Sequence, residues 1–320
     1  MRTPGATARI AHQEWLKPVE EGLQNAIHKT FRSGGPAGKR VKNFLQGTWI
    51  GHPLHVILTD IPIGAWTAAM VFDLLDLIGD REQFSAAADT AVAIGLVSAL
   101  GAAVTGLTDW QDIDPPARRI GLVHATLNVT GVGLFAASLL MRRKRSRAAG
   151  RVLALLGYTA MTAAARLGGK LVYEQRIGVD HTAGEALPDD FAPVLKDSDL
   201  LDGAAKRAMY NSTPILLVRR GADIFALAET CSHLGGPLSE GSLVDNTIQC
   251  PWHGSRFTLD SGKVVDGPAV HPQPCLETRV RDGRIEVRKY TAIKPTATVE
   301  KKATPRKKAE QREERTGTRG

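Results

Sequence analysis

The sequence predicts two domains: an all-α transmembrane four-helix bundle, followed by an all-β domain. Three observations lead to this fold class. The first half of the chain carries four long apolar segments, and the second half carries short β-type runs separated by turn residues. The length of 320 residues is also typical of about two domains.

The four apolar segments are 54–78, 86–107, 122–141 and 152–172. Each has about the 20 residues that a bilayer core requires. Small residues such as Gly95, Gly101 and Gly131 favour close approach of helices in lipid. A soluble four-helix bundle is the alternative, but 122–141 is apolar nearly all round. We therefore expect residues 51–178 to form a multi-pass domain of the cell membrane, with the lipid bilayer as a partner.

Both ends of the chain are polar. In the N-terminal segment, 1–50, residues 13–32 have the spacing of an amphipathic helix, either interfacial or soluble, and the glycine-rich run 33–38 ends it. No cleavable secretory signal is expected. Residues 291–320 form a basic tail, which we expect to be disordered and to suit anionic lipid. Nucleic acid is not expected as a partner, because no basic stripe interleaves with aromatic residues.

The membrane orientation rests on competing signals. Four spans place both termini on one side, and the loop R-R-K-R-S-R after Met141 argues that the opposite side is cytoplasmic. The face of the termini carries an equally large basic set. The chain has three cysteines and no disulfide framework. Together with the basic tail, this favours cytoplasmic termini.

Residues 179–193 read as a linker and residues 194–290 as the β domain. Its β-type runs are 215–218, 224–228, 256–259, 277–281 and 284–288. The turns at 221–223 and 282–283 separate paired runs and predict hairpins.

Two pairs of soft and imidazole ligands lie on loops of this domain. They are Cys231-x-His233 and Cys250-x-x-His253, with sixteen residues between the inner members. Two cysteines with two histidines are the ligand set of a Rieske two-iron two-sulfur cluster. Zinc also takes these residue types and is the alternative reading.

The flanking residues separate these alternatives. Residues 187–290 resemble a Rieske ferredoxin-type domain in Leu234-Gly235-Gly236-Pro237-Leu238, Pro251-Trp252, Gly254-Ser255 and Gly267-Pro268-Ala269. The resemblance implies a 2Fe-2S cluster held by Cys231, His233, Cys250 and His253. It further implies a hydrogen bond from Ser255 to a cluster sulfur and shielding of the cluster by Leu234 and Pro268.

Departures from the respiratory branch of that family are informative. That branch has a disulfide-linked cysteine in each ligand loop, where this chain has Gly236 and Trp252. It also has a tyrosine where this chain has Phe257, which removes one donor to sulfur. Because such hydrogen bonds raise the potential, we expect a low to intermediate value. Cys275 is expected to be a plain core thiol.

Residues 46–182 resemble a family of predicted bacterial four-span membrane domains without assigned function. Threading the spans up and down places ionisable residues together on the face that carries the β domain, namely His52, His55, Asp60, Asp109 and His124. Ionisable groups in a membrane are candidates for function. This face could hold a b-type haem, a quinone head group or a metal ion. The alternative is that these side chains only join helix ends to one another.

Taken together, the sequence predicts a membrane-anchored Rieske electron-transfer protein. It would pass single electrons between a redox partner and a quinone, haem or oxygenase acceptor, the partner being a reductase, an oxygenase or a respiratory component. A redox or iron–sulfur sensor with a passive anchor is the alternative. We do not expect an oxygenase in this chain, because that class needs a mononuclear iron in a large domain after the cluster.

Overall fold

A computed structural model describes residues 10, 12–79 and 82–290. Within these residues, six α-helices precede a ten-stranded β domain, so the predicted fold class is confirmed. The helices are α1 Lys17–Ser33, α2 Gly35–Gln46, α3 Leu54–Gly79, α4 Glu82–Trp110, α5 Ala117–Arg143 and α6 Arg147–Tyr173. The predicted basic tail, 291–320, lies outside the described residues.

Helices α3 to α6 are long and apolar enough to cross a membrane. Their apolar stretches contain 26 to 28 residues, which at a rise of about 1.5 Å per residue exceeds the bilayer core of about 30 Å. Large apolar side chains such as Leu77, Val97 and Val129 lie exposed on their outer faces. Large apolar side chains are unfavourable in contact with water, whereas lipid tails cover them, so this outer surface fits a lipid environment.

Small residues let the four helices approach closely, as predicted. Trp66 of α3 stacks on Phe135 of α5 with 4.2 Å between ring centroids. The indole lies against Gly95 of α4, and the Phe135 ring lies against Gly157 of α6. A Cβ at position 95 would overlap the indole, and one at position 157 would lie 3.0 Å from the phenyl ring. Glycine therefore makes room for the aromatic core of the bundle.

A buried charge network joins all four spans at the end away from the β domain. The fully buried guanidinium of Arg142 donates to Asp73 at 2.7 Å and to Asp89 at 3.1 Å. Arg147 and Arg151 complete the network through Asp89 and Asp76. Burial of these charges is tolerated because each one is paired.

The polar N-terminal segment forms two helices. Helix α1 ends at Ser33, and Gly35, with φ of 53°, starts α2 at once, with Pro36 in its first turn. Leu23 and Ile27 of α1 pack against the α4–α5 connection, whereas Trp15 and Val19 are exposed.

The β domain consists of two antiparallel sheets. The first has the strand order β1-β10-β9-β4-β3-β2 and the second has the order β5-β6-β7-β8. The strands are β1 Ala192–Lys196, β2 Ala205–Tyr210, β3 Thr213–Arg220, β4 Asp223–Ala228, β5 Ser242–Val244, β6 Thr247–Gln249, β7 Arg256–Thr258, β8 Val264–Asp266, β9 Cys275–Arg281 and β10 Arg284–Lys289. The two predicted hairpins correspond to β3–β4 and β9–β10. Leu216, Leu238, Ile248 and Phe257 form part of a core that also contains Cys231 and Cys250.

Helix α2 connects the β domain to the bundle. Asn43 donates to Asp266 at 3.1 Å and accepts from the backbone N–H of Gly267 at 3.1 Å. On its other side, Gln46 donates to Asp112 in the α4–α5 connection at 2.9 Å. These polar contacts fix the β domain against the end of the bundle where α4 ends and α5 begins.

The buried network predicts a large effect of one substitution. Arg142→Ala removes the hydrogen-bonding partner of buried Asp73 and leaves it only Arg151, at 3.7 Å, which should cost about 3–5 kcal/mol of unfolding free energy. We expect a clearly lower thermal midpoint for the detergent-purified variant. Arg143→Ala is the matched control, because Arg143 is the neighbouring residue and is exposed. Equal midpoints for the two variants would contradict the assignment.

Candidate metal centre

The first ligand loop connects β4 to β5. The backbone N–H of Cys231 donates to the carbonyl of Gly236 at 2.8 Å, and that of Gly235 donates to the carbonyl of Cys231 at 2.9 Å. Gly235 has φ of 82°, a conformation that favours glycine. This tight turn buries the Cys231 thiol and brings His233 to the tip of the loop.

The second ligand loop connects β6 to β7 and repeats this arrangement. The N–H of Cys250 donates to the carbonyl of Ser255 at 2.8 Å, and that of Gly254 donates back to the carbonyl of Cys250 at 3.2 Å. Gly254 has φ of 78°. Each loop therefore presents one buried thiol and one imidazole nearer the surface.

The two loops bring all four candidate ligands together. The Cys231 S–H donates to the sulfur of Cys250. This contact raises the pKa of Cys231 above its ordinary value and lowers the pKa of Cys250 to about 7. The rings of His233 and His253 lie edge to face, with centroids 5.1 Å apart. Burial lowers the pKa of His233 well below its ordinary value, so that the ring is neutral at pH 7, as a metal ligand must be.

Backbone amides are aimed at both sulfurs. The N–H groups of His233 and Leu234 donate to Cys231, and those of Trp252 and His253 donate to Cys250. Such donors stabilise thiolates and tune the potential of a bound cluster.

Position 236 tests whether the loops have room for a cluster. A Cβ on Gly236 would lie 2.8 Å from the Cys250 sulfur and 3.0 Å from the Trp252 ring. Only glycine leaves the space between the loops open, so the residues present fit a cofactor that bridges them. Within the described residues, no group of three or more His, Cys, Asp or Glu side chains is arranged around one metal ion. A cluster whose irons each take two protein ligands does not require such a group.

A third loop packs beneath the ligand loops. Buried Ser255 accepts from the N–H of Ala269 at 3.0 Å, which leaves its hydroxyl proton free to donate. Pro268 beside it is buried, and Leu234 is half-buried. Gln273, which no spacing in the sequence points to, accepts from the N–H of Ser232 at 3.1 Å and so supports the first ligand loop.

The bundle contributes a contact that sequence reasoning missed. Asp114, in the α4–α5 connection, lies with Oδ2 3.2 Å from Nε2 of His253. Because Nε2 faces this carboxylate, Nδ1 is the ring nitrogen left for a metal. No spacing in the sequence links position 114 to position 253.

Comparison with known proteins shows similarity in two parts of the chain. The family model of the Rieske [2Fe-2S] domain matches residues 190–287. Ferredoxin CarAc of Metapseudomonas resinovorans is 32% identical over 91 residues, which are 28% of this chain and 85% of that protein. The 3-phenylpropionate/cinnamic acid dioxygenase ferredoxin subunit of Photorhabdus laumondii is 38% identical with the same coverage. The chain belongs to the Rieske family.

The matches beyond the ferredoxins are partial. The chain covers only 19% of human apoptosis-inducing factor 3, to which it is 27% identical over 115 residues. The ferredoxin in a solved complex with the oxygenase of carbazole 1,9a-dioxygenase is an example of a structural match, with 29% identity and a TM-score of 0.30. This match covers 32% of this chain and 98% of that chain. Ahead of the Rieske domain, the model described as "Predicted membrane protein (DUF2231)" matches residues 51–181. The predicted combination of a Rieske domain with a four-span membrane domain is thereby confirmed.

The predicted face of ionisable residues near the Rieske domain is only partly assembled. His55 Nδ1 donates to the carbonyl of Ala102 at 2.9 Å, and His124 Nδ1 donates to that of Ala164 at 2.8 Å. The two rings interact electrostatically. His52 instead contacts the carbonyl of its neighbour Pro53.

The two carboxylates of that face differ from each other. Asp60 is exposed on the outside of α3, and Asp109 is half-buried near Asp112. The structure thus places His55 and His124 within electrostatic range of each other, whereas His52 and Asp60 lie exposed.

The Asp114 contact predicts a shift in reduction potential. The Asp114 carboxylate places negative charge against a histidine of the centre, which favours the oxidised cluster. Asp114→Asn keeps the shape and removes the charge, so the potential should rise in a redox titration followed by electron paramagnetic resonance. Asp190→Asn is the control, because Asp190 is exposed on the linker. An unchanged potential in Asp114→Asn would show that this contact does not act on the centre.

Proposed function

We propose that this protein is a membrane-anchored, one-electron carrier whose redox centre is a 2Fe-2S cluster. The observation that carries the proposal is the convergence of two buried thiols and two imidazoles on paired loops of a Rieske domain. That domain is joined to four helices that fit a bilayer. Such a cluster, when bound, accepts and releases one electron at a time.

Each residue of the centre has a proposed role. Cys231 and Cys250 would hold one iron and His233 and His253 the other, as in other Rieske centres. The amides aimed at both sulfurs and the Ser255 hydroxyl would donate to the sulfurs. Phe257, fully buried, supplies no such donor. We therefore propose a low to intermediate reduction potential, which a redox titration measures; a value in the range of quinol-oxidising Rieske proteins would contradict it.

The acceptor is proposed from the relatives. Several of them are ferredoxin components of dioxygenases, such as the biphenyl 2,3-dioxygenase ferredoxin of Rhodococcus jostii, with 35% identity over 79 residues. By this analogy, a redox partner protein such as an oxygenase or reductase exchanges electrons with the Rieske domain. The three-cysteine chain without disulfides suits a cytoplasmic Rieske domain. Digestion of that domain by protease in intact spheroplasts, but not in inverted vesicles, would overturn the cytoplasmic placement.

The ligand assignment is tested one residue at a time. Cys231→Ser, His233→Ala, Cys250→Ser and His253→Ala should each abolish the rhombic signal of a reduced Rieske cluster in electron paramagnetic resonance. Cys275→Ser should retain it, because burial raises the pKa of Cys275 to about 11 and keeps it a thiol. Loss of iron from Cys275→Ser, or a full signal in any of the four variants, would contradict the assignment. Zinc in place of iron in the native protein would contradict the whole proposal.

A second proposal concerns the bundle. His55 donates through Nδ1, so its Nε2 is an acceptor and suits the hydroxyl of a quinol. A haem held by His55 and His124 fits less well, because Nε2 of His124 already accepts from Asn128 at 3.1 Å. We therefore favour a quinone as the relay in the bundle.

This second proposal predicts the optical spectrum and the quinone content of the purified protein. Purified protein should show no Soret band and should carry extractable quinone, which His55→Ala loses. His52→Ala should keep the quinone, because that ring is exposed and contacts only its neighbour. A Soret band would show that the bundle holds haem rather than quinone. Quinone binding that survives His55→Ala would show that His55 is not part of the site.

A further inference from the structure

A large open cleft lies beside the second ligand loop. Its volume is about 1080 Å³, and it is bordered by α1, α2, the α4–α5 connection and residues 252–254. We call this the basic cleft. Lys29, Arg32, Gln111, Trp252 and His253 are among the residues that line it.

The charge of the basic cleft favours an anion. Lys29 and Arg32 are exposed, and within residues 12–79 and 82–290 neither has an ion-pair partner. Of the carboxylates of the cleft, Asp112 is paired with Lys42 at 2.8 Å, whereas Asp114 contacts the imidazole of His253 and keeps its negative charge. Lys29 and Arg32 together outweigh that one carboxylate, so the charge that remains in the cleft is positive.

The wall next to the centre favours a planar ring. The Trp252 indole is 54% exposed, although large aromatic side chains are usually covered. It directly precedes His253, whose side chain keeps 13% of its surface accessible. An aromatic molecule stacked on this indole would lie next to a ligand of the centre.

The floor of the cleft contains an unused hydrogen-bond acceptor. Gln111 is 1% exposed, its amide N–H donates to the carbonyl of Thr108 at 2.9 Å, and among the residues that the structure describes its Oε1 has no partner. Its backbone carbonyl accepts from Gln24 and lies 3.1 Å from His28. A buried acceptor without a partner is costly in a structure unless something satisfies it.

We propose that the basic cleft binds a small organic anion that carries a planar ring. The ring stacks on Trp252, and a phosphate or carboxylate group faces Lys29 and Arg32. The cleft has room for a small molecule, because its volume of about 1080 Å³ lies just above the range of about 300–1,000 Å³ that is usual for such ligand pockets. The inference deepens the proposed function, since it names a class of small molecule that binds beside His253, and it rests on that function.

The test compares two probes that differ only in charge. Flavin mononucleotide and riboflavin share one planar ring system, and only the former carries a phosphate. Full-length, cluster-loaded, oxidised protein in detergent is used in equilibrium dialysis. We expect flavin mononucleotide to bind at least tenfold more tightly than riboflavin. Equal affinities, or no binding of either probe at millimolar concentration, would overturn the proposal.

Variants locate the binding in the cleft. Lys29→Gln with Arg32→Gln should weaken flavin mononucleotide at least fivefold and leave riboflavin unchanged. Lys206→Gln with Arg207→Gln is the control, because it removes the same charge from two exposed residues of β2. It should change the affinity of neither probe. Trp252→Ala should weaken both probes. A loss of affinity in the β2 control equal to that in the cleft variant would show non-specific attraction and overturn the site.

Two further measurements distinguish the proposed ligand from a simple anion and from a protein partner. Inorganic phosphate alone should compete only weakly, and full competition would show an anion site without ring recognition and overturn the proposed ligand class. Binding of an acidic flavodoxin that depends on Lys29 and Arg32, without binding of flavin mononucleotide, would replace the small molecule by a protein partner. Electron paramagnetic resonance on the same sample reports the cluster separately, so failure of the proposed function is distinguishable from failure of the cleft.

Discussion

The arrangement of this protein depends on the carboxylate of Asp112, buried where the bundle meets the β domain. It sits in the α4–α5 connection and receives hydrogen bonds from both Lys42 and Gln46 of α2. The same helix holds the Rieske domain through Asn43 and through Lys39, which pairs with Asp266 at 2.7 Å. A buried charge is costly unless it is paired and hydrogen-bonded, so this site favours one placement of α2. Because the α4–α5 connection is fixed by the same contacts, Asp114 is held two residues further on, at His253.

Buried charges are also paired with one another at both ends of the bundle. Near the Rieske domain, buried Glu20 of α1 pairs with Arg118 and Arg119 at the start of α5. At the opposite end, Arg142 joins α5 to α3 and α4. The middle of the bundle has no such network among its described residues and relies on rings seated against glycines. Polar pairing thus sets the helix ends, while close packing sets the distances between the helices, as expected where lipid removes the hydrophobic drive for association.

How far the sequence could predict this protein depends on whether a signal is local. The four spans, the two hairpins and the Cys and His pairs are local patterns, so each could be found from neighbouring residues. Helix α2 was missed because its glycines and Pro36 resemble a loop, yet Pro36 suits a first turn. Asp114 and Gln273 act across the fold. Asp114 is more than 100 residues away from His253 along the chain, and Gln273 is about 40 residues away from the first ligand loop. The face of ionisable residues was predicted from depth in the membrane alone, and depth does not distinguish inner from outer faces of a helix. This is why His55 and His124 each bond to a neighbouring helix while Asp60 lies outside.

The placement of His253 has a consequence for how electrons reach the centre. A Rieske domain could in principle offer both of its histidines to a partner. Here both rings are partly covered, and His253 lies against Asp114, beside helices that do not belong to the Rieske domain. A carrier that approaches through His253 would have to enter the basic cleft or displace α1 and α2. The second route would break the contacts of Asp112 and Asp266 with α2. The α4–α5 connection and the N-terminal helices therefore shape the approach to His253 as well as holding the Rieske domain in place.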